Sequence, residues 1–241
     1  MYGGSELIRD FVPCDHNRQV WANCFIEKVL MPNRTMTVLD LGCGEGASRG
    51  YFQKMSPKVY WIGFDLESSP EVDARQRVGP DFHVFDGVHI PFKDDSIDLI
   101  YCKQVLEHVE MPIELMREVK RVLKPGAYFV GSASYLEPFH SRSVCNFTPY
   151  GFTKLLKQSA DSLRLIELRP GIDFLAILLN RLVARRRFLN RITSRWFEKE
   201  SPFNRCLTLF GKMAGKSCQD INLLKLLFCG HFVFLVQKMD K

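Results

Sequence analysis

Three glycines at alternate positions, Gly42, Gly44 and Gly46, follow directly on the apolar run Val38-Leu39-Asp40-Leu41. Without a Cβ they admit unusual backbone angles and let a ligand press against the main chain. Asp40 adds a carboxylate at the exit of the strand. Ala47 onward reads as a helix whose N-terminus faces the same crevice. A Gly-x-Gly-x-Gly stretch also serves simply to join a strand to a helix, so the acids downstream decide its meaning. Asp65 closes Tyr60-Trp61-Ile62-Gly63-Phe64-Asp65, about twenty residues beyond the turn, the spacing at which a carboxylate reaches ribose hydroxyls. Each charge-assisted bond of that kind contributes roughly 1.5–3 kcal/mol away from water. Asp86 ends Phe82-His83-Val84-Phe85 and precedes Gly87. It is placed to accept from an exocyclic amine while Gly87 leaves room for a ring, although an Asp-Gly turn with no ligand gives the same pattern. Lys103 and two histidines, His108 and His140, complete the set. Each imidazole is a general base near neutral pH or an ordinary hydrogen-bonded histidine.

These residues need a scaffold that brings them to one edge. From about 36 to 170, β-rich runs (Thr37–Leu41, Val59–Asp65, Phe82–Phe85, Ile97–Cys102, Tyr128–Ser132, Leu163–Leu168) alternate with helical ones, the rhythm of a doubly wound α/β sheet. Ligands of such sheets lie beyond the carboxyl ends of the strands. Asp15 or Asn17 is a candidate cap for a helix with the apolar face Val20, Trp21, Cys24, Phe25 and Val29. Pro112 suits the first turn of a helix running to Leu123, stopped by Pro125-Gly126, and Thr148-Pro149 opens a helix over Tyr150–Ser159. A last strand, His231–Gln237, arrives after a helical stretch over 172–228 and can join the sheet in either direction.

The glycine turn, Asp65, Asp86 and the segment Asp94-Asp95-Ser96-Ile97-Asp98-Leu99-Ile100-Tyr101-Cys102-Lys103-Gln104-Val105-Leu106-Glu107-His108-Val109 resemble a class I S-adenosylmethionine-dependent methyltransferase of the type 11 subgroup. Val122-Leu123-Lys124-Pro125-Gly126-Ala127-Tyr128-Phe129-Val130 is similar to that family's helix and fifth strand, and the resemblance covers about 36–170. It implies a seven-stranded, mostly parallel sheet with an antiparallel last strand, preceded here by a helical insertion. The turn Gly42, Gly44, Gly46 would then lie under the methionine half of S-adenosyl-L-methionine, with Asp65 on the ribose, Asp86 with Gly87 at the adenine amine and Lys103 bordering the methionine side, and Asp40 would join Asp65 and Asp86 around the donor. The donor is a cation, so carboxylates around a glycine floor suit it. Methyl transfer asks mainly for alignment and exclusion of water. An alkyl hydroxyl acceptor would gain from a base such as His108 or His140. In ubiquinone-type O-methyltransferases of related sequence a Glu-x-x-Glu-His cluster goes with a bound metal. The corresponding residues here are Gln104, Glu107 and His108, too few oxygen ligands for a hard cation, and no metal is expected. Pro138-Phe139-His140 through Asn146-Phe147-Thr148-Pro149-Tyr150-Gly151-Phe152 resembles methyltransferases of sugar and polysaccharide pathways, with a shorter loop and Asn146 where those carry an aspartate and an arginine.

The composition is that of a folded protein: 241 residues, 46% apolar and 25% charged. It is enough for one domain with a sizeable core. No apolar run reaches the roughly 18 residues needed to span a bilayer and none forms an N-terminal leader, so a cytoplasmic location is expected. Eight cysteines without a Cys-x-x-Cys pair read as reduced and mostly buried. The net charge of +6 concentrates in the insertion, where Arg181, Arg185, Arg186, Arg187, Arg191 and Arg195 accompany Phe174, Leu178, Leu182, Leu189, Ile192 and Trp196. On one continuous helix that apolar set spans an arc of about 80°, which predicts peripheral contact of 174–197 with the anionic inner face of a membrane, or packing on the domain or a second subunit. Nucleic acid is disfavoured because aromatic residues are not interleaved with the basic ones. A small-molecule acceptor, glycosyl or lipid-linked, is the expected partner. Two other readings fit the same residues. Gly42-x-Gly44-x-x-Ala47 with Asp65 satisfies the NAD(P) fingerprint of a Rossmann oxidoreductase, and a methyltransferase-like fold can bind without turnover.

Overall fold

The computed structural model describes residues 4–76, 79–139, 141–159 and 161–240. After a 3₁₀ turn, Glu6–Phe11, the chain runs α1 (Asn23–Val29), β1 (Met36–Leu41), α2 (Ala47–Met55), β2 (Val59–Asp65), α3 (Pro70–Asp73), β3 (Phe82–Val84) and β4 (Ile97–Lys103). It continues through a 3₁₀ turn at Leu106–His108, α4 (Pro112–Val122), β5 (Leu123–Ser134), α5 (Pro149–Ser159) and β6 (Leu163–Pro170). Four helices follow, α6 (Phe174–Val183), α7 (Arg187–Glu198), α8 (Pro202–Met213) and α9 (Cys218–Phe228), before β7 (His231–Lys238).

The seven strands form one sheet in the order β3-β2-β1-β4-β5-β7-β6. β1 to β5 pair in parallel, and β7 runs antiparallel to both of its neighbours. Central strands covered on both faces read as near-continuous apolar runs. β4 is accordingly buried from Ile97 to Cys102. Phe25, Ile26 and Phe52 from α1 and α2 pack in one apolar layer, and Leu115, Val119, Phe152, Leu156 and Leu226 from α4, α5 and α9 in the other. The reversal between β1 and β4 leaves a crevice at their carboxyl ends, where the glycine turn lies.

Four expectations need correction. The helix before β1 starts at Asn23 with Ala22 as its cap and no side-chain capping bond. Asp15 is drawn away, because both its oxygens accept from Nη2 of Arg169 (2.9 and 2.8 Å), a guanidinium 1% exposed. That bond holds the Asp15 carboxyl down at about 2. Pro125-Gly126 do not separate α4 from the next strand. β5 begins at Leu123, which pairs with Ile97, and the two residues fall in the bulge before Tyr128 pairs with Leu99. The cysteines are all free, but only Cys43, Cys102 and Cys229 are buried, while Cys14, Cys145 and Cys206 are exposed.

The fourth concerns the insertion. No continuous helix joins 174 to 197: α6 ends at Val183, and Arg186 leaves helical geometry (φ −103°, ψ 95°) before α7 starts. The apolar stripe is therefore divided. Trp196 and Phe197 turn inward against Trp21, Ile172 and Ile177, whereas Leu182 and Phe188 remain exposed. The side chain of Leu189 lies outside the described set.

Arg169 also bonds Glu167 within β6, and through Asp15 it ties that strand to the N-terminal segment. Arg169→Ala should lower the free energy of urea unfolding by about 2 kcal/mol. This is less than the 3–5 kcal/mol typical of a broken buried pair, because the orphaned Asp15 is half exposed and can hydrate. Unchanged stability would show the bridge to be incidental.

Candidate active site

The glycine turn takes its shape from left-handed backbone at Gly42 (φ 66°), Gly44 (φ 50°) and Gly46 (φ 74°). A Cβ on Gly42 would lie 2.2 Å from Val105 Cγ2 and one on Gly46 2.5 Å from Phe82 Cζ, so these two are closed by protein. Gly44 differs: a Cβ there would meet only Glu71 Cβ, at 3.4 Å. Its backbone is open to a ligand. Asp65 Oδ2 accepts the Gly44 N–H at 2.7 Å and Oδ1 that of Leu66 at 2.8 Å, which ties the tip of β2 to the turn. Each carboxylate oxygen has a second lone pair, so holding the turn still leaves acceptor capacity for a hydroxyl. Arg75 Nε donates to the Gly44 carbonyl (2.7 Å) and its guanidinium lies over the Phe82 ring.

Asp40 is buried, 3% exposed. It accepts from the Ser48 hydroxyl, which in turn accepts from Trp61 Nε1 at 2.9 Å. Burial first, and then the nearby negative charge of Asp65, push the Asp40 carboxyl up to about 7 against the opposing Ser48 and Trp61 bonds and the charge of Lys103. Asp65 and Lys103 thus both lie within electrostatic reach of Asp40. Asp86 sits one strand further out, exposed, with Oδ1 accepting from the N–H groups of Val88 (2.9 Å) and His89 (2.7 Å) and Oδ2 2.6 Å from His89 Nδ1. The bonds to His89 bring it down to about 2, and raise the imidazole in return. A Cβ on Gly87 (φ 88°) would lie 3.6 Å from Leu66 Cδ2, so this turn sits beside the end of β2. Lys103 is exposed at the end of β4, and His108 is half-buried in the 3₁₀ turn that follows. His140 lies outside the described residues. Among the described residues no group of three or more His, Cys, Asp and Glu side chains is arranged to hold a metal ion.

Residues 39–131, from β1 through the glycine turn into β5, match the family model described as a methyltransferase domain, type 11. Over this segment the chain belongs to the class I methyltransferases. Norajmaline N-methyltransferase of Rauvolfia serpentina is 31% identical over 174 residues, 69% of this chain and 56% of that protein. The chain spans about half of that relative's length, and 29% and 38% of two other curated proteins that it matches. In fold, an S-adenosylmethionine-dependent methyltransferase from Mesorhizobium loti superposes with a TM-score of 0.52 at 18% identity, over 89% of this chain and 96% of the other. The [4+2]-cyclase SpnF does so with a TM-score of 0.56 at 15% identity, over 98% and 92%. The cofactor of this family is S-adenosylmethionine, and the open backbone at Gly44 between acids suits its charge and shape.

The methyltransferase domain has a second polar group at the same sheet edge that sequence reasoning missed. Because β7 is antiparallel, its first residue, His231, pairs with Ser134, the last of β5, and so reaches the carboxyl ends of the parallel strands. His231 Nε2 lies 2.5 Å from Glu137 Oε2, the Ser134 hydroxyl 2.7 Å from both that oxygen and Glu107 Oε1, and Arg181 Nη2 of α6 2.5 Å from Glu137 Oε1. A signal was available in the two serines, Ser132 and Ser134, at alternate positions of an otherwise apolar strand end.

Proposed function

We propose that the protein transfers a methyl group from S-adenosylmethionine to a small-molecule acceptor. The observation that carries this reading is the Asp65–Gly44 bond, which draws an acid from β2 across the glycine turn beside the buried Asp40. Asp40, Gly42, Gly44, Gly46, Asp65, Asp86, Gly87 and Lys103 would hold the donor, which supplies an activated methyl on a sulfonium. The chain's own contribution is to fix that ligand on bare backbone and keep water out. A hydroxyl acceptor would draw on His108 or His140 as base.

Calorimetric titration with S-adenosylhomocysteine and with NAD tests the assignment. Binding of the first is expected, and weakening by about tenfold or more in Asp65→Ala, the loss of one charge-assisted bond. Tight NAD binding with no S-adenosylhomocysteine bound would return the protein to the oxidoreductase class. A biological activity that survives Asp65→Ala and Asp86→Ala unchanged would favour a methyltransferase-like protein without turnover.

The acceptor we favour is glycosyl or lipid-linked, reached at an anionic membrane surface. Support comes from exposed Leu182, Phe188 and Ile192 among exposed Arg185, Arg186, Arg191 and Arg195. Among the described residues no helix is long and apolar enough to cross a membrane, so contact would be peripheral, each cation adding about 1 kcal/mol near anionic lipid. Sedimentation with phosphatidylserine vesicles should show association at low ionic strength that fades as salt rises. No association at low salt would remove the membrane from the proposal.

A further inference from the structure

The group formed by Glu107, Ser134, Glu137 and His231 is short of hydrogen-bond donors. Glu107 is 0% exposed and its Oε2 has no hydrogen-bond partner. Its Oε1 shares the single Ser134 hydroxyl hydrogen with Glu137, each oxygen 2.7 Å away. Turned so that both ends are satisfied, the Gln104 amide puts its nitrogen 3.2 Å from Glu107 Oε1 and from Glu137 Oε2, with its oxygen 3.1 Å from Ser132 Oγ. Glu137 has Arg181 and His231. Among the described residues the hydrogen-bond partners of the Glu107 carboxylate are these neutral groups alone. A buried carboxylate oxygen without a donor costs several times what an ordinary hydrogen bond contributes, so the site is built for a group that arrives with both hydrogen and positive charge.

The position fits the reacting end. Gln104 adopts φ 55° immediately after β4 and turns its amide into the group, while the next residue, Val105, closes on Gly42 of the glycine turn. Half-buried Gln104 on one side and Arg181, about a third exposed, on the other are the members that solvent reaches.

We infer, resting on the methyltransferase reading, that Glu107 is the acceptor-binding carboxylate and that the acceptor is a primary or secondary amine, bound as its ammonium. Glu107 Oε2 accepts one N–H proton, which frees the nitrogen lone pair. That pair forms the N–CH₃ bond as the S–CH₃ bond breaks with its electrons left on sulfur, giving a methylated ammonium and S-adenosylhomocysteine. The proton on Glu107 then passes to solvent. A hydroxyl would supply one hydrogen and no charge, and would leave the carboxylate uncompensated.

The test uses the full chain loaded with S-adenosylhomocysteine, titrated with matched pairs of one skeleton: benzylamine against benzyl alcohol, and cyclohexylmethylamine against cyclohexylmethanol. The amines should bind tighter by about tenfold or more, the margin of one charge-assisted bond. The preference should vanish in Glu107→Gln while S-adenosylhomocysteine still binds, which also reports that the variant is folded. With labelled donor, wild-type protein should place label on nitrogen. Equal or better binding of the alcohols, no binding of either amine, a preference that survives Glu107→Gln, or stoichiometric Mg²⁺ uptake abolished by that substitution would each overturn the inference. Failure of S-adenosylhomocysteine to bind wild-type protein would instead remove the methyltransferase reading beneath it.

Discussion

Gly42→Ala should remove measurable binding of S-adenosylhomocysteine and destabilise the fold by about 3 kcal/mol, and Val105→Ala in the same chain should recover part of the stability. Two separate costs meet at Gly42. A residue with a Cβ held in left-handed backbone loses about 1 kcal/mol or more, and Gly42 has φ 66°. The added carbon would also overlap Val105 Cγ2 at 2.2 Å, and overpacking of a fixed site costs about 1–3 kcal/mol. Val105 has little room to yield. Its χ1 is stiffened by β-branching, the preceding Gln104 N–H is bonded to the Ser132 carbonyl at 3.0 Å, and the Val105 carbonyl accepts from the His108 N–H at 2.9 Å. Shortening Val105 relieves the overlap and leaves the backbone cost, so the double variant should recover only the steric share, a positive coupling readable in a double-mutant cycle. Additive losses in urea unfolding would show that the turn yields elsewhere and that contact with Val105 does not define it.

The glycine turn was legible because both of its functions, a left-handed turn and open backbone, select the same residue type, here at alternate positions. The strands up to β6 were legible for a similar reason: buried parallel strands are mostly apolar, and β4 shows it from Ile97 to Cys102 at every residue but Asp98, whose carboxylate is held by the Thr37 N–H and Lys124. What escaped depends on contacts far apart in sequence. Asp15 has the composition of a helix cap, and nothing near it signals the buried Arg169 that claims it more than 150 residues later. The Glu107, Glu137 and His231 group assembles only once β7 is known to run antiparallel, which brings His231 beside Ser134. The insertion misled through its period. A helical stripe continues on paper across Ala184–Arg186, but the backbone breaks there, and Trp196 packs on the cluster of Ile172, Ala176 and Ile177 instead of extending the stripe.

Asp40 should make the fold less stable as pH rises from about 4 to about 7. Its carboxyl titrates near 7 in the fold and near 3.9 in an unfolded chain. Below pH 4 both states carry the proton and no penalty applies. Above that the unfolded state ionises while the folded state still holds its proton, so unfolding releases a proton and is favoured by rising pH. Beyond about pH 7 both are ionised and the loss is complete, roughly 4 kcal/mol for a shift of about three units. Asp15, Asp86 and Asp220 are all held down at about 2, so their stabilisation is lost only at lower pH. His89 is raised above its ordinary 6.5 by Asp86, so its contribution is also lost as pH rises, with the same sign as that of Asp40. The clean measurement is therefore a difference: Asp40→Asn keeps an oxygen for the Ser48 hydroxyl, and should gain stability over wild type at pH 8 while losing that advantage by pH 4. The same residue gives a ligand signature. A cationic donor beside Asp40 favours its ionised form, so S-adenosylmethionine binding at pH 6 should release a fraction of a proton, read from calorimetry in two buffers of different ionisation heat, and Asp40→Asn should release none of it. Equal release by the variant would assign the proton to another group and place the charge of the donor away from the end of β1.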